Sequence, residues 1–437
     1  MSRIAEIAAA LAGYDPKALG VDAVQAFLAR LAGPAAVTQV EHAALRDALG
    51  RVLAEDIVSP VSVPPHDNSA MDGFAFDGAL LPADAASDAS VALRVVGTAL
   101  AGAAWRGTLG PGDAVKIMTG AVMPAGLDTV VPQEFCFVEG DQVRFPAKAL
   151  RRGDNRRLCG EDLMQGQPAL LRGERLTPAA LGMVASLGLP TVPVLRRLRV
   201  AYFSTGDEIL SLGEPPREGA VYDSNRYTVF GLVSRLGCEL IDLGLVRDDP
   251  AALAETLRRA AGEADAIITS GGVSVGEADH TRAVMQQLGD MAFWRVAMRP
   301  GRPMAVGLVP KLDQKEGPAV LFGLPGNPVA VMVTFLAFVR PALLRMMGCH
   351  ERGCAPPPLL RARSASAIRK KPGRTEYQRG RVEPVPGAEP EVRIAGNQGS
   401  GVLSSMVEAN GLVVLHHEQS SVAAGDMVDV MMFEGVI

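Results

Sequence analysis

Asp265 to Arg282 reads DAIITSGGVSVGEADHTR, and this stretch decides the fold. Ala266, Ile267 and Ile268 predict the core of a short buried strand, which Thr269, Ser270, Gly271 and Gly272 break. A loop with two carboxylates, Glu277 and Asp279, leads into a helical run from Thr281 to Leu288. Strand, glycine loop and helix is the geometry in which backbone N–H groups and a helix N-terminus converge on an anion. Carboxylates beside such a loop repel the anion unless a cation lies between them. The stretch therefore predicts a phosphate-bearing ligand with a divalent metal. An ordinary turn between strand and helix has the same local pattern, so the neighbouring segments must decide.

Working outward, the rhythm of alternating strand and helix extends on both sides. Leu198 to Phe203 predicts a strand followed by STGDE, with Ser224 capping a helix to Leu236. Glu239 to Val246 predicts a strand followed by RDDP, with Asp249 as N-cap and Pro250 at the first position of a helix to Ala261. Downstream, Met291 to Ala297 and Val320 to Phe322 predict strands, and Pro328 opens a helix to Met346. Repeated units of this kind imply a doubly wound, mostly parallel sheet with its site at the strand C-termini. On that rule STGDE, RDDP, SGGVSVGEAD, MRPGRP and GLPGNP leave one sheet edge. Asp207, Glu208, Asp248, Asp249, Glu277 and Asp279 then lie near Arg295, Arg299 and Arg302.

The rest of the chain predicts other domains. A length of 437 residues is too long for one core and suggests roughly three or four domains. Val21, Val24, Phe27, Leu28 and Leu31 recur at helical spacing up to Gly33, and a second helical pattern runs from Val40 to Ala54. VSVPPHDNSAMDGFAF, Val61 to Phe76, begins with prolines that forbid regular structure and continues as a polar turn. Val91 to Phe145 reads as β, with a hairpin around Glu139-Gly140-Asp141. RRGDNRRLCGED, Arg151 to Asp162, suits a loop of mixed charge, and Thr177-Pro178 starts a helix to Leu187. A proline run at Pro356 to Pro358 precedes a β-rich tail in which NQGSGVLSS, Asn397 to Ser405, is a candidate ligand loop. The expected division is 1–60 with 147–195 as a helical and connecting domain, 61–146 as a β-rich domain, 196–352 as the α/β domain and 353–437 as a C-terminal β domain.

Bulk properties exclude several classes. Hydrophobic content of 48% and charged content of 21% describe a globular chain. A net charge of -5 and 5% aromatics argue against a nucleic-acid binder. Five scattered cysteines without a CxxC fit free thiols in a reducing cytoplasm, and Cys349, His350 and Cys354 lack the second half of a zinc site. The N-terminus has no signal pattern, and Val329 to Val339 is too short to span a membrane. No nucleophile–base pair stands out. Carboxylates, arginines and backbone donors suit Mg²⁺ with phosphate or another tetrahedral oxyanion, and metal-assisted cleavage or transfer at phosphate.

HDNSAMDGFAF, KIMTGAVMPAG, STGDE, SGGVSVGEAD, RPGRP, GLPGNP and NQGSG, in this order, resemble the molybdopterin molybdenumtransferase (MoeA) family, whose module also forms the E domain of gephyrin. The resemblance covers the chain from about residue 20 onward. It implies insertion of molybdenum from molybdate into adenylylated molybdopterin, with Mg²⁺ or another divalent ion, hydrolysis of the pterin–AMP anhydride and release of AMP. It implies a homodimer, and contacts with other proteins of the cofactor pathway. By resemblance Asp279, Asp248, Glu208 and Asp67 are the catalytic carboxylates, the first three also holding metal. Thr119, Asp162, Ser270, Gly271, Gly272, Ser274, Pro325, Pro328 and Ser400 are substrate-binding, with Arg295, Arg299 and Arg302. These arginines stand in FWRVAMRPGRP, where family members commonly carry lysines. Arginine keeps the charge but adds a planar fork and does not donate a proton near neutral pH. A binding scaffold of the gephyrin E-domain type and a tungstate-inserting homologue are the alternative readings.

Overall fold

A computed structural model describes residues 2–11, 13–82, 89–272, 280–311 and 317–436. The helix Val21–Ala32 buries Val24, Phe27, Leu28 and Leu31, the stripe its spacing predicts. Phe27 meets the Trp294 ring edge-on at 4.9 Å, which anchors this helix to the α/β core. The expected helix from Val40 to Ala54 does not form. Val40–Ala44 is a strand antiparallel to Thr191–Leu195, and a short 3-10 turn at Leu45–Asp47 follows. Local helix propensity is weak against pairing with a β-branched partner strand, whose Val192 and Val194 are fully buried here. Ala43, Leu53, Leu176, Val184 and Val192 share one core cluster, so the segments flanking the β-rich region in sequence pack together in space.

Gly73–Phe76, Ser90–Ala99, Asp113–Ile117, Thr129–Pro132, Phe137–Glu139 and Gln142–Pro146 form one sheet. The hairpin falls where the sequence puts it: Glu139 pairs with Gln142, and Gly140 has the positive φ of +61° that a two-residue turn needs.

The α/β domain comprises β1 (Arg199–Thr205), α1 (Ser224–Leu236), β2 (Glu239–Val246), α2 (Pro250–Glu263), β3 (Ala266–Ser270), α3 (His280–Leu288), β4 (Asp290–Arg295), β5 (Pro303–Val309), β6 (Ala319–Leu324) and α4 (Pro328–Thr334). The sheet order is β2-β1-β3-β6-β5-β4. β2, β1, β3 and β6 are parallel, as expected. β5 was not anticipated; it runs antiparallel to both β6 and β4, so β4 points the same way as the parallel strands. Its apolar run MAVGLV follows Arg-Pro-Gly-Arg-Pro, and proline is tolerated at the first position of a strand. The cap of α1 is Asp223 rather than Ser224: the Asp223 carboxylate accepts the Arg226 N–H at 3.1 Å.

α4 runs on through a π turn at Phe335–Val339 into Arg340–Met346. This run of 19 residues, Pro328–Met346, is long and apolar enough to cross a membrane, contrary to the expectation from Val329 to Val339. Most of it is buried within the molecule, as a core helix.

The C-terminal sheet contains Leu360–Ser364, Thr375–Glu383, Glu391–Ile394, Gly411–Leu415 and Met427–Met432. The segment Met298–Arg299 joins it, with Arg299 opposite Glu376. The loop after β4 is thereby stitched to this sheet, and the C-terminal domain reaches the edge where the site was expected.

Candidate functional site

The C-terminal ends of β1, β3 and β6 open onto two adjoining cavities. The first, about 510 Å³, is lined by Thr205, Glu208, Asp223, Asn225, Ser270 and Pro328 among others. The second, about 460 Å³, is lined by Arg299, Arg302, Pro325, Gln398 and Ser400 among others. Glu208, Gly271, Gly326 and Asn327 line both. Loops from distant parts of the sequence thus meet on one sheet edge.

Glu208 stands at the junction of the two cavities. Asp248 lies behind the first: the Thr205 hydroxyl, on the cavity wall, donates to Asp248 Oδ1 at 2.6 Å. The Asp248 N–H approaches Asp207 Oδ1 at 3.4 Å. Three carboxylates therefore gather around the ends of β1 and β2. Ser274, Glu277 and Asp279 lie outside the described residues. Among the described residues no group of three or more His, Cys, Asp or Glu forms a ready metal cage. Mg²⁺ does not need one, because it commonly takes one or two carboxylates and completes its shell with phosphate and water.

The Gly271 N–H is engaged within the sheet rather than turned into the cavities that Gly271 lines. It bonds the Leu324 carbonyl at 3.2 Å. The glycine is required for packing: φ is +92°, and a Cβ would lie 2.4 Å from the Thr205 carbonyl oxygen. Gly272, at φ +65°, likewise approaches the Thr281 side chain.

The positive charge of the second cavity comes from Arg299 and Arg302. Among the described residues neither pairs with a carboxylate. Arg295 lines neither cavity; its backbone bonds Pro16 and Leu19, and its side chain is exposed. Ser400 is held from behind, where its carbonyl accepts the Val329 N–H at 3.1 Å. Arg379, which the sequence reading missed, organises this loop. It is 1% exposed. Its guanidinium donates to Ser405 Oγ at 3.0 Å, the Asn397 carbonyl at 3.1 Å and the Gly399 carbonyl at 3.0 Å. Burial, then the nearby Arg299 charge, pulls its proton affinity down. The available signal was a charged residue two positions from Tyr377 in an alternating strand, hence on the same buried face.

A buried polar chain lies under the first cavity. The Tyr202 hydroxyl is 2.9 Å from Ser204 Oγ and 2.7 Å from Ser270 Oγ, and the Ser204 hydroxyl donates to Asp223 Oδ2 at 2.6 Å. Asn225 Nδ2 donates to the Gly326 carbonyl at 2.7 Å, which fixes the amide. Asn225 Oδ1 is buried with no partner among the described residues.

Asp67, Thr119 and Asp162 form a separate constellation. Arg156 and Arg157 pair with Ser69 and Asn68, which folds the RRGDNRRLCGED loop onto the DNSAMDG turn. Asp67 Oδ1 accepts the Cys159 N–H at 2.8 Å, and Arg156 lies 3.7 Å from Asp67 Oδ2. The Asp162 N–H bonds the Val63 carbonyl at 3.1 Å. Asp72, absent from the sequence-based site, fixes Thr119: the Thr119 N–H and hydroxyl both reach Asp72 Oδ1 at 2.7 Å. Those bonds, backbone first, hold the Asp72 carboxyl below its ordinary range. Among the described residues, none of these three side chains lines either cavity at the sheet edge.

Comparison with known proteins identifies the family. Residues 20–188 match the MoeA N-terminal region (domain I and II), residues 201–345 a probable molybdopterin binding domain, and residues 361–433 the MoeA C-terminal region (domain IV). A molybdopterin molybdenumtransferase of Haemophilus influenzae is 39% identical over 400 residues, covering 92% of this chain and 95% of the relative. One from Nostoc sp. is 38% identical over 384 residues, covering 87% and 86%. The crystal structure of a molybdopterin biosynthesis MoeA protein from Pyrococcus horikoshii superposes with a TM-score of 0.76 at 28% identity, covering 95% of this chain and 100% of that one. The chain belongs to the molybdopterin molybdenumtransferase (MoeA) family, transferases of molybdenum cofactor biosynthesis.

Proposed function

We propose that this protein inserts molybdenum from molybdate into adenylylated molybdopterin and releases AMP. The observation that carries this reading is the contact of two unlike cavities across one wall. The cavity with Arg299 and Arg302 suits a tetrahedral oxyanion or phosphate, because guanidinium groups offer planar donor pairs and keep their charge. The cavity with Asp223, Asn225 and Ser270 suits the uncharged, donor-bearing end of the same substrate. A molecule carrying a phosphoanhydride between a heterocycle and AMP spans both kinds of surface.

Glu208 and Asp248, joined by Asp279, are the carboxylates that would hold Mg²⁺ in this reading; the hard oxygens of Glu208 and Asp248 fit that ion. Bound there, the ion would neutralise phosphate charge. The chain's own groups do the rest: Arg299 and Arg302 orient the anion, and Thr205 holds the Asp248 carboxylate in place. In the proposed homodimer, Asp67, Thr119 and Asp162 of one copy would complete the site of the other, because within one chain they line neither cavity. The proposed domain division is that of the sequence, and the free cysteines support a cytoplasmic setting.

The test mixes protein, adenylylated molybdopterin, Mg²⁺ and molybdate, and follows AMP release and cofactor formation. Turnover that depends on molybdate is expected. Its absence overturns the reading. Asp279→Asn is expected to lose turnover while remaining folded, and unchanged activity would remove Asp279 from the site.

A further inference from the structure

The first cavity has a polarity that its composition does not reveal. Several of its side-chain donors already spend a proton within the protein. The Thr205 hydroxyl donates to Asp248, the Tyr222 hydroxyl to the Glu214 carbonyl, and Asn225 Nδ2 to the Gly326 carbonyl. Ser270 belongs with them once the protons of the buried chain are placed. A hydroxyl has one proton to give. Ser204 gives its proton to the Asp223 carboxylate at 2.6 Å. The Ser204–Tyr202 bond therefore takes its proton from Tyr202. Tyr202 has no other, so the Tyr202–Ser270 bond takes its proton from Ser270. Every hydroxyl in the chain points toward Asp223, and Ser270 is left with only lone pairs for the cavity. Burial also raises the proton affinity of the Tyr202 phenol, which keeps its proton in place.

We propose that this directional chain, Ser270 to Tyr202 to Ser204 to Asp223, makes Ser270 an obligate acceptor, and that the acceptor face of the cavity reads the amino and ring N–H groups of the pterin. The unpartnered Asn225 Oδ1 and the Asp223 carboxylate are further acceptors in the same wall. A pterin carries an exocyclic amino group and ring N–H donors side by side, whereas adenine offers only its amino group. The inference rests on the substrate reading above and adds an orientation: pterin over Ser270, anion over Arg299 and Arg302. Tyr202, Ser204 and Asp223 act through Ser270 and are positioning residues.

Binding of molybdopterin, AMP and molybdate, each alone, tests this with the full-length protein and its Tyr202→Phe, Ser270→Ala and doubly substituted forms. Loss of one directed hydrogen bond is expected to weaken molybdopterin binding roughly five- to tenfold in either single variant. The double variant should lose no more than either single one, because the two groups act as one unit. AMP and molybdate should bind all forms within about twofold, which also shows that the variants fold. In competition, wild-type protein should prefer 6-hydroxymethylpterin over its 2-oxo counterpart, and Tyr202→Phe should lose that preference. Equal molybdopterin binding by wild type and both single variants overturns the proposal, as does a loss confined to AMP. If Tyr202→Phe does not fold, Ser270→Ala decides by the same measurements. Wild-type protein that binds no molybdopterin overturns the substrate reading and this inference with it.

Discussion

Replacing Arg379 with methionine removes a buried cation while nearly keeping its volume, and the consequences follow from its bonds. The guanidinium makes three hydrogen bonds, two of them to the carbonyls of Asn397 and Gly399. Bonds from a charged donor contribute about 1.5 to 3 kcal/mol each, and a carbonyl stranded in the interior costs about 1 to 3 kcal/mol. Removing the desolvated charge returns part of that sum, leaving a net loss of about 3 kcal/mol. The bonds hold a loop whose Gln398 and Ser400 line the anion cavity, so the loss is expected to fall on loop order rather than on the whole fold. At 1.4 kcal/mol per tenfold, that is about a hundredfold weaker molybdate binding. Arg379→Lys keeps the charge but not the fork and should fall between wild type and methionine. Calorimetric titration with molybdate, beside thermal unfolding of each variant, separates the two effects. Wild-type molybdate affinity in Arg379→Met would refute the claim that this arginine organises the cavity.

Three other perturbations are informative. Asp265, at the head of β3, accepts both Arg196 terminal nitrogens, at 2.7 and 2.8 Å, and the Arg199 N–H at 2.9 Å. Burial raises its pKa, but these bonds and the Lys311 charge outweigh burial and lower it overall. The stabilisation is therefore present above the unfolded carboxylate pKa of about 4 and fades as pH falls through the lower folded value. Asp265→Asn should cost about 3 kcal/mol at pH 7 and progressively less below about pH 4, and a pH-independent difference in unfolding would contradict this. Asp72→Ala should free the Thr119 turn and reduce turnover without changing the melting temperature, while Asp72→Asn, which keeps one acceptor oxygen, should retain most activity; equal effects would show that the Asp72 acceptor does not hold Thr119. Arg302→Ala should weaken anion binding roughly tenfold or more and Arg295→Ala by less than about twofold, because Arg302 lines the cavity and Arg295 does not; the reverse order would place the anion elsewhere.

The parallel half of the α/β domain was legible because its signals are local. Pro250 after Asp249 starts a helix at a fixed place, and Ala266 to Ser270 is a buried apolar run closed by glycines. β5 was not legible because Pro303 ends a Pro-Gly-rich segment, and its strand character depends on β4 and β6 lying on either side. The Val40–Ala44 strand failed for the same reason: its partner is Thr191–Leu195, about 150 residues away. Gathering the loops on one edge needed only the direction of the strands, so Glu208, Ser270, Arg299 and Pro325 could be placed together, as the linings of the two adjoining cavities place them. Arg295 could not be separated from Arg299 and Arg302, because it is the pairing of its backbone with Pro16 and Leu19 that accompanies its place outside both cavities.

The Tyr202 chain shows where reading the sequence must stop. In a sheet covered on both faces there is no alternation of polar and apolar residues to mark a functional side chain. Tyr202 and Ser204 share a face because they are two apart in one strand. Ser270 joins them only because β1 and β3 pair in the register that sets Ser204 opposite Ser270. A slip of one residue would turn Ser270 to the other face and break the chain. The acceptor character of the cavity is thus a property of register, not of composition. A phenylalanine at position 202 would preserve the strand, the burial and every sequence motif, yet release the proton of Ser270. The same variant therefore separates the acceptor chain from everything the motifs encode.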